Sequence, residues 1–386
     1  MTNKSSRNVH IDFLRGTAIS CVLILHFSLA YGLDNSPLGT LLPTWFLDGL
    51  VENGNYGVTM FFTISGFLIT SNSLARWGHL RNIDGLTFYT YRFARIMPPL
   101  VLALAIIVVL GSAGLPYFAN TDGDHNLPAS HFVVGAGSVL TFWHNVLMQS
   151  TGYFNYCLNI YWSLSVEEVF YLLVPLLCLS LRRTWLLALV CCLAIAVGPI
   201  YRQAHVDNEI YYMYGYLACF DAIAMGCLTA LLAQRISLTR STARAIRVGS
   251  LIALAIVYLR GIQGNEVVGF SIIALASAAF LFGANDASAL KPLARTLFRP
   301  LRWLGRHSYE VYLFHIIVLA LMRNLLSRDD VSYDTRLPLL CLFVALSVVV
   351  AALVARYVSE PANMAIRSRY FRRIGRAAIT ETLLPP

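Results

Sequence analysis

The sequence predicts an all-α fold, a polytopic membrane bundle of about ten transmembrane helices with both termini cytoplasmic. Three observations carry this. Hydrophobic residues make up 57% of the 386 and charged ones 13%, and the mean hydropathy of +0.63 lies far from that of soluble domains. Ten runs, centred near residues 21, 63, 104, 171, 192, 223, 253, 275, 317 and 347, approach the ~20 apolar residues that cross the hydrocarbon. Finally, Lys and Arg alternate in density between successive loops, and positive charge stays on the cytoplasmic side.

An N-in model of ten spans puts every basic residue inside, except Arg202, Arg260, Arg323, Arg328 and Arg336. Inside fall Lys4, Arg7, Arg15, the quartet Arg76, Arg81, Arg92 and Arg95, and the loops around Arg182, Arg244 and Lys291. The net charge of +9 is therefore a topology signal. No nucleic-acid partner is expected, because the charges are spread over six loops with no patch on a known module.

The first run, "IDFLRGTAISCVLILHFS" (11–28), carries a histidine in its last turn. His26 follows Arg15 by 11 residues, roughly 16 Å of rise and about three turns, so both share one face. The arginine lies at the cytoplasmic mouth and the histidine near mid-membrane. "SLA" (28–30) resembles a signal-peptide cleavage site, but a histidine would interrupt the apolar region and nine remaining spans would spoil the charge pattern. Seven of the eight cysteines fall in spans, so no exported disulfide is implied.

The third run opens with "YRFARIMPP" (91–99), which sets Arg92 and Arg95 one turn apart at its mouth. Two guanidiniums so placed suit a bidentate phosphate clamp, although positive-inside bias alone accounts for them too. The segment 131–148 is apolar enough to span. Crossing there would invert every later loop, so it is expected to be re-entrant or interfacial.

The fourth run, "YWSLSVEEVFY" (161–171), repeats Ser163, Glu167 and Tyr171 at four-residue spacing, with Glu168 pointing elsewhere. Counted back from Arg182, Glu167 should lie roughly 22 Å up, above His26 and facing the same cavity. Asp221 marks the sixth run. The ninth, "SYEVYLFHIIV", places Ser308, Tyr312 and His315 on one face. Polar groups from four spans favour a central site, since ionisable groups in lipid are costly. Interhelical hydrogen bonding is the plain alternative for His26, and a buried pair with an arginine for Glu167, while Asp221 and His315 lean structural.

These residues resemble the acyltransferase-3 family of integral membrane O-acyltransferases, from about Asp12 to Pro361. The likeness rests on six ordered motifs: Arg15 and His26 with ten residues between them, "FFTISGFLI" (61–69), "YRFARIMPP", "YWSLSVEEVFY", "SYEVYLFH" (308–315) and "EP" (360–361). The resemblance implies a bundle that takes acyl, commonly acetyl, from cytosolic acyl-CoA to a hydroxyl of a glycan or sugar-containing acceptor beyond the inner membrane. It further implies a catalytic His26 with Arg15, and coenzyme A phosphates on Arg92 and Arg95. Glu167 would orient the imidazole or the acceptor, with Ser163, Tyr171, Tyr312 and His315 supporting. No metal is expected. The family often shows an arginine one position before the sixth-span aspartate, where this chain has Phe220. The expected domains are 1–366, the transmembrane unit, and 367–386, a basic cytoplasmic tail. Acceptor choice is assigned to loops 31–54 and 114–159, which carry Asp34, Asp48, Glu52, Asp122, Asp124 and aromatics but no Lys or Arg. A proton-coupled transporter or flippase is the rival reading, as buried His and Glu suit it equally.

Overall fold

The computed structural model describes residues 8–119, 121, 122, 125, 126, 128–285 and 296–382. Lys4, Arg7, Asp124, Lys291, Arg295 and the last four residues of the basic tail lie outside the described residues. The helices relevant to the site are α1 (Val9–Tyr31), α2 (Thr44–Glu52), α3 (Asn55–Trp77), α4 (Gly85–Ser112), α5 (Ala129–Leu140), α6 (His144–Thr151), α7 (Trp162–Leu181) and α8 (Thr184–Ala204). There follow α9 (Glu209–Tyr214), α10 (Tyr216–Ala233), α11 (Arg240–Arg260), α12 (Gly269–Asn285), α13 (Arg299–Arg306), α14 (Ser308–Leu325), α15 (Arg336–Val354) and α16 (Glu360–Thr382). A pair of two-residue strands, Thr121–Asp122 and His125–Asn126, is the β-structure among the described residues.

Among the described residues, eight helices are long and apolar enough to cross a membrane: α1, α3, α4, α7, α8, α10, α11 and α15. The other two apolar runs form α12, of 17 residues, and α14, of 18, which carries Glu310, His315, Arg323 and Asn324 along its length. Asn8 caps α1 by accepting from the His10 backbone N–H at 2.9 Å, and Gly32 ends it at φ +69°.

Lipid tails are as apolar as leucine, so helices in a bilayer gain by close backbone approach more than by burying apolar area. The core follows that rule at two contacts. A Cβ on Gly66 of α3 would strike the Ile223 carbonyl of α10, and one on Gly226 of α10 would strike the Thr63 carbonyl of α3. Likewise Gly16 of α1 meets the Leu301 carbonyl of α13, and Gly305 meets the Asp12 carbonyl. The second contact pins the basic mouth of α1 against α13, where Arg306 Nε donates to Asp12 Oδ2 at 3.2 Å.

Asp221 and Arg202 form a fully buried ion pair of 2.7 Å. The guanidinium also donates to the Val267 and Ala218 carbonyls and to Ser271 Oγ, and Ser271 donates to Asp221. Arg202, placed from sequence on the outer side, lies in the last turn of α8. The partner of Asp221 comes from α8 rather than from the position before it, where Phe220 stands.

The segment 131–148 is broken. Phe142 adopts φ +63° between α5 and α6, its carbonyl accepts from the Tyr216 hydroxyl at 2.5 Å, and neither helix approaches the length of a span. His144 starts α6 fully buried, with Nδ1 on Ser138 Oγ at 2.8 Å and Nε2 without a hydrogen-bond partner among the described residues. Burial pushes this imidazole down to about 4. At the other end of the chain a π turn at Ala355–Ser359 joins α15 to α16 just before Glu360 and Pro361. Helix α16 continues through residue 367 without interruption and leans on α4, with the Thr87 and Tyr370 hydroxyls 3.0 Å apart.

Two consequences are measurable. Removing one partner of the Arg202–Asp221 pair leaves an uncompensated buried charge at a cost of about 3–5 kcal/mol, so Asp221→Ala should lower the melting temperature of the detergent-solubilised protein sharply. For His144 the folded pKa is depressed, so the unfolded chain takes up a proton first as pH falls. Stability is unaffected above about 6.5 and is lost between there and about 4, by a few kcal/mol. Melting curves against pH should show that loss, and His144→Gln should flatten it.

Candidate functional site

Three cavities follow one another through the bundle. The first, of about 800 Å³, opens at the basic end and is lined by Arg15, Arg76, Arg92, Arg95, Arg306 and Arg367, with Asn72, Ser359, Glu360 and Asn363. The second is narrow, about 100 Å³, and shares Arg15, Arg92, Arg95, Asn72 and Tyr309 with the first. The third, about 590 Å³, lies toward the opposite end. It is lined by His26, Asn53, Asn55, Tyr153, Tyr156, Trp162, Tyr212 and Tyr214 together with Glu52, Glu209 and Glu266. Val58 and Tyr312 line both the second and the third.

At the basic mouth, α4 presents Arg92 half-buried and Arg95 exposed. The Arg92 guanidinium sits 4.3 Å from the centre of the Tyr171 ring. Tyr91 of the same turn carries two more cations, with Arg76 at 3.8 Å and Arg367 at 3.9 Å from its ring centre. Arg15 Nε donates to Ser308 Oγ at 3.1 Å, joining α1 to the start of α14.

The narrow chamber is walled by α7. Both Ser65 Oγ and the Tyr171 hydroxyl donate to Glu167 Oε1, and the Ser163 and Tyr312 hydroxyls lie 2.7 Å apart. Glu168, expected to point elsewhere, lines this chamber too. It is buried, and its Oε1 has no hydrogen-bond partner among the described residues. Consecutive helix residues are about 100° apart, and the chamber wall subtends enough of α7 to include both carboxylates.

The structure corrects two further expectations. His26 and Glu167 do not face one cavity: His26 lines the third and Glu167 the second. Nor does Glu167 lie above His26. Helix α14 runs from the basic end, so its Ser308, Tyr312 and His315 rise in that order. Ser308 meets Arg15, Tyr312 meets Ser163, and His315 meets His26. Glu167 is one turn beyond Ser163 toward the basic end and therefore sits below the histidine. Counting rise from Arg182 assumed a helix normal to the membrane that begins at its surface, whereas α7 starts from a buried turn at Asn159–Tyr161.

His26 itself is half-buried. Its Nδ1 is 3.1 Å from the Val22 carbonyl and 3.1 Å from His315 Nε2, and the two rings are 4.9 Å apart. His315 is fully buried, its Nδ1 at 2.7 Å from the Tyr312 carbonyl and 3.1 Å from that of Val311. The structure thus brings Arg15, Arg92, Arg95, Ser163, Glu167, Tyr171 and Tyr312 to one chamber, with His26 and His315 just beyond it. Asp221 is apart, held by Arg202.

Sequence reasoning missed Ser65 and Asn72, although both follow from the motif at 61–69 and the turn after it. It also missed Glu209, Tyr212, Tyr214 and Glu266, whose short helix and loop lie in sequence far from the loops assigned to acceptor choice. Of those loops, Glu52, Tyr153, Tyr156 and Asn159 do reach the third cavity.

Residues 8–356 match the family model of an acyltransferase domain. Among curated proteins, the chain is 24% identical over 336 residues to the O-acetyltransferase OatA of Staphylococcus aureus, an alignment covering 81% of this chain and 51% of that protein. It is 25% identical over 395 residues to the peptidoglycan O-acetyltransferase OatA of Listeria monocytogenes (94% and 57%). Against a protein of Bacillus subtilis named a putative peptidoglycan O-acetyltransferase, YrhL, it is 27% identical over 308 residues (72% and 46%). The chain spans about half the length of these relatives. No solved structure matches it.

Proposed function

Because the chain belongs to the acyltransferase-3 family of membrane acyltransferases, we propose that it moves an acetyl group from acetyl-CoA to a hydroxyl of a glycan, with His26 as general base. One observation carries this reading. The cavities run from an arginine-lined mouth, through a constriction, to a wide vestibule whose wall contains an imidazole.

The basic mouth suits a phosphate-rich donor arriving from the cytosol, because Arg15, Arg92 and Arg95 converge where it narrows and guanidiniums recognise phosphates bidentately. A slender pantetheine arm fits the narrow chamber where a nucleotide does not. The vestibule combines aromatic faces with amide and carboxylate groups, the chemistry that stacks on sugar rings and accepts from their hydroxyls. This orientation puts the basic mouth at the cytoplasmic face of the inner membrane and the vestibule at the outer face. Residues 367–386 are assigned to the cytoplasmic side.

In the reaction, His26 takes the acceptor hydroxyl proton as the oxygen bonds to the thioester carbonyl carbon. The C–S bond then breaks, and the coenzyme thiolate leaves with the proton that the imidazolium returns. Tyr312, which lines both cavities, and Ser163, its hydrogen-bond partner in the chamber, offer hydroxyls to the developing oxyanion. Glu167, held by Ser65 and Tyr171, shapes the chamber below the imidazole and balances the arginines there.

Purified protein in nanodiscs with isotopically labelled acetyl-CoA and a panel of neutral glycans should release CoA and yield labelled ester. His26→Ala, shown to be folded by its melting curve, should lower turnover by at least 10²–10⁴-fold. Full activity in that variant rejects the base assignment. Absence of CoA release from folded wild type under any acceptor favours the transporter reading, which consumes no thioester. Arg92→Ala and Arg95→Ala should each raise KM for acetyl-CoA by roughly 10-fold or more, the scale of one charge-assisted hydrogen bond, with KM for the glycan unchanged.

A further inference from the structure

We propose that His315 is a positioning residue that fixes the tautomer of His26 and shares the positive charge His26 gains on taking a proton. The inference rests on the reading of His26 as base and adds the reason its free nitrogen is available. It follows from which atoms face which. His315 Nδ1 contacts two carbonyl oxygens, Tyr312 at 2.7 Å and Val311 at 3.1 Å. Carbonyls only accept, so that nitrogen carries a hydrogen, and the neutral ring is bare at Nε2. The bare Nε2 faces His26 Nδ1 at 3.1 Å, so His26 Nδ1 must supply the hydrogen, with the Val22 carbonyl at 3.1 Å as a second acceptor. A neutral His26 protonated on Nδ1 is bare at Nε2. None of the described residues bonds that atom, and the ring lines the vestibule.

The chain of donors therefore runs Nδ1–H of His26 to Nε2 of His315 and Nδ1–H of His315 to the backbone of α14, all in one direction. Such a fixed direction selects the reactive nitrogen, as an orienting partner does for any catalytic imidazole. When His26 Nε2 takes the acceptor proton, the imidazolium is stabilised because its Nδ1–H already points at a lone pair. The positive charge is shared across that bond, whose own hydrogen stays between the two rings, and the proton on Nε2 passes to the leaving thiolate, so none is gained or lost. A neutral partner does this without placing a further anion in the membrane, where a carboxylate in the same place would be costly.

Two variants and one spectroscopic measurement test this. His315→Leu removes the acceptor and should lower kcat on the order of 10²-fold while leaving KM for acetyl-CoA and glycan unchanged. His315→Gln restores an amide oxygen near the position of Nε2, and a donor toward the Tyr312 carbonyl, and should recover most of that loss. In wild type with ¹⁵N-labelled histidine, His26 should be protonated at Nδ1 and bare at Nε2, and His315 protonated at Nδ1. A folded Leu variant with wild-type kcat, a Gln variant no better than Leu, or His26 protonated at Nε2 each overturns the proposal. If the Leu variant does not fold, the ¹⁵N assignment and the Gln variant decide. The ¹⁵N readout needs no turnover, so it separates failure here from failure of the acetyl-transfer reading.

Discussion

The cost of a polar group in hydrocarbon governs this molecule. A charge or unpaired donor inside the bilayer must either meet a partner or face water held within the protein. Both solutions occur, and they divide the buried polar residues into two sets. Arg202 and Asp221 satisfy one another through four elements of backbone and side chain and touch none of the three cavities. Arg15, Arg92, Glu167, Glu168 and His26 line cavities instead. The first set holds helices together; the second has groups left over for chemistry.

The cavities exist because the helices around them cannot close. Where α3 meets α10, and α1 meets α13, glycines let backbones touch. Beside the chamber, large side chains such as Tyr171, Tyr309 and Tyr312 hold α4, α7 and α14 apart. The close contacts also fix heights. With α1 pinned to α13 at its basic mouth, the register between α1 and α14 is set: Arg15 meets Ser308, and His26, about three turns along α1, meets His315, two turns along α14. The histidine pair is thus a consequence of helix register as much as of the residues themselves.

The same register explains why the narrow chamber lies below the histidine. Tyr312 stands between the chamber and the vestibule, its hydroxyl tied to Ser163 and to the Ile160 carbonyl. A long, thin donor reaching that wall from one side would place its end group beside an acceptor arriving from the other. Val58 and Tyr312 line both cavities, so little more than one layer of side chains separates them, as the proposed transfer requires.

Much of this was legible in the sequence because it is local. Span positions follow from runs of apolar residues, the shared face of Ser163, Glu167 and Tyr171 from helical period, and the expectation that 131–148 does not cross from the conflict between a spanning segment and the basic loops after it. The ordered motifs identified the family. Depth and partnership were not local. Whether Glu167 lay above or below His26 depended on where α7 begins and how it runs. That Asp221 pairs with Arg202, and that Glu209 and Glu266 reach the same vestibule as His26, depended on which helices pack together. The sequence by itself determined which residues had to be satisfied in the membrane. Only the tertiary structure decided which were satisfied by each other and which by a cavity, because helix register and tilt are set by contacts between segments distant in the chain.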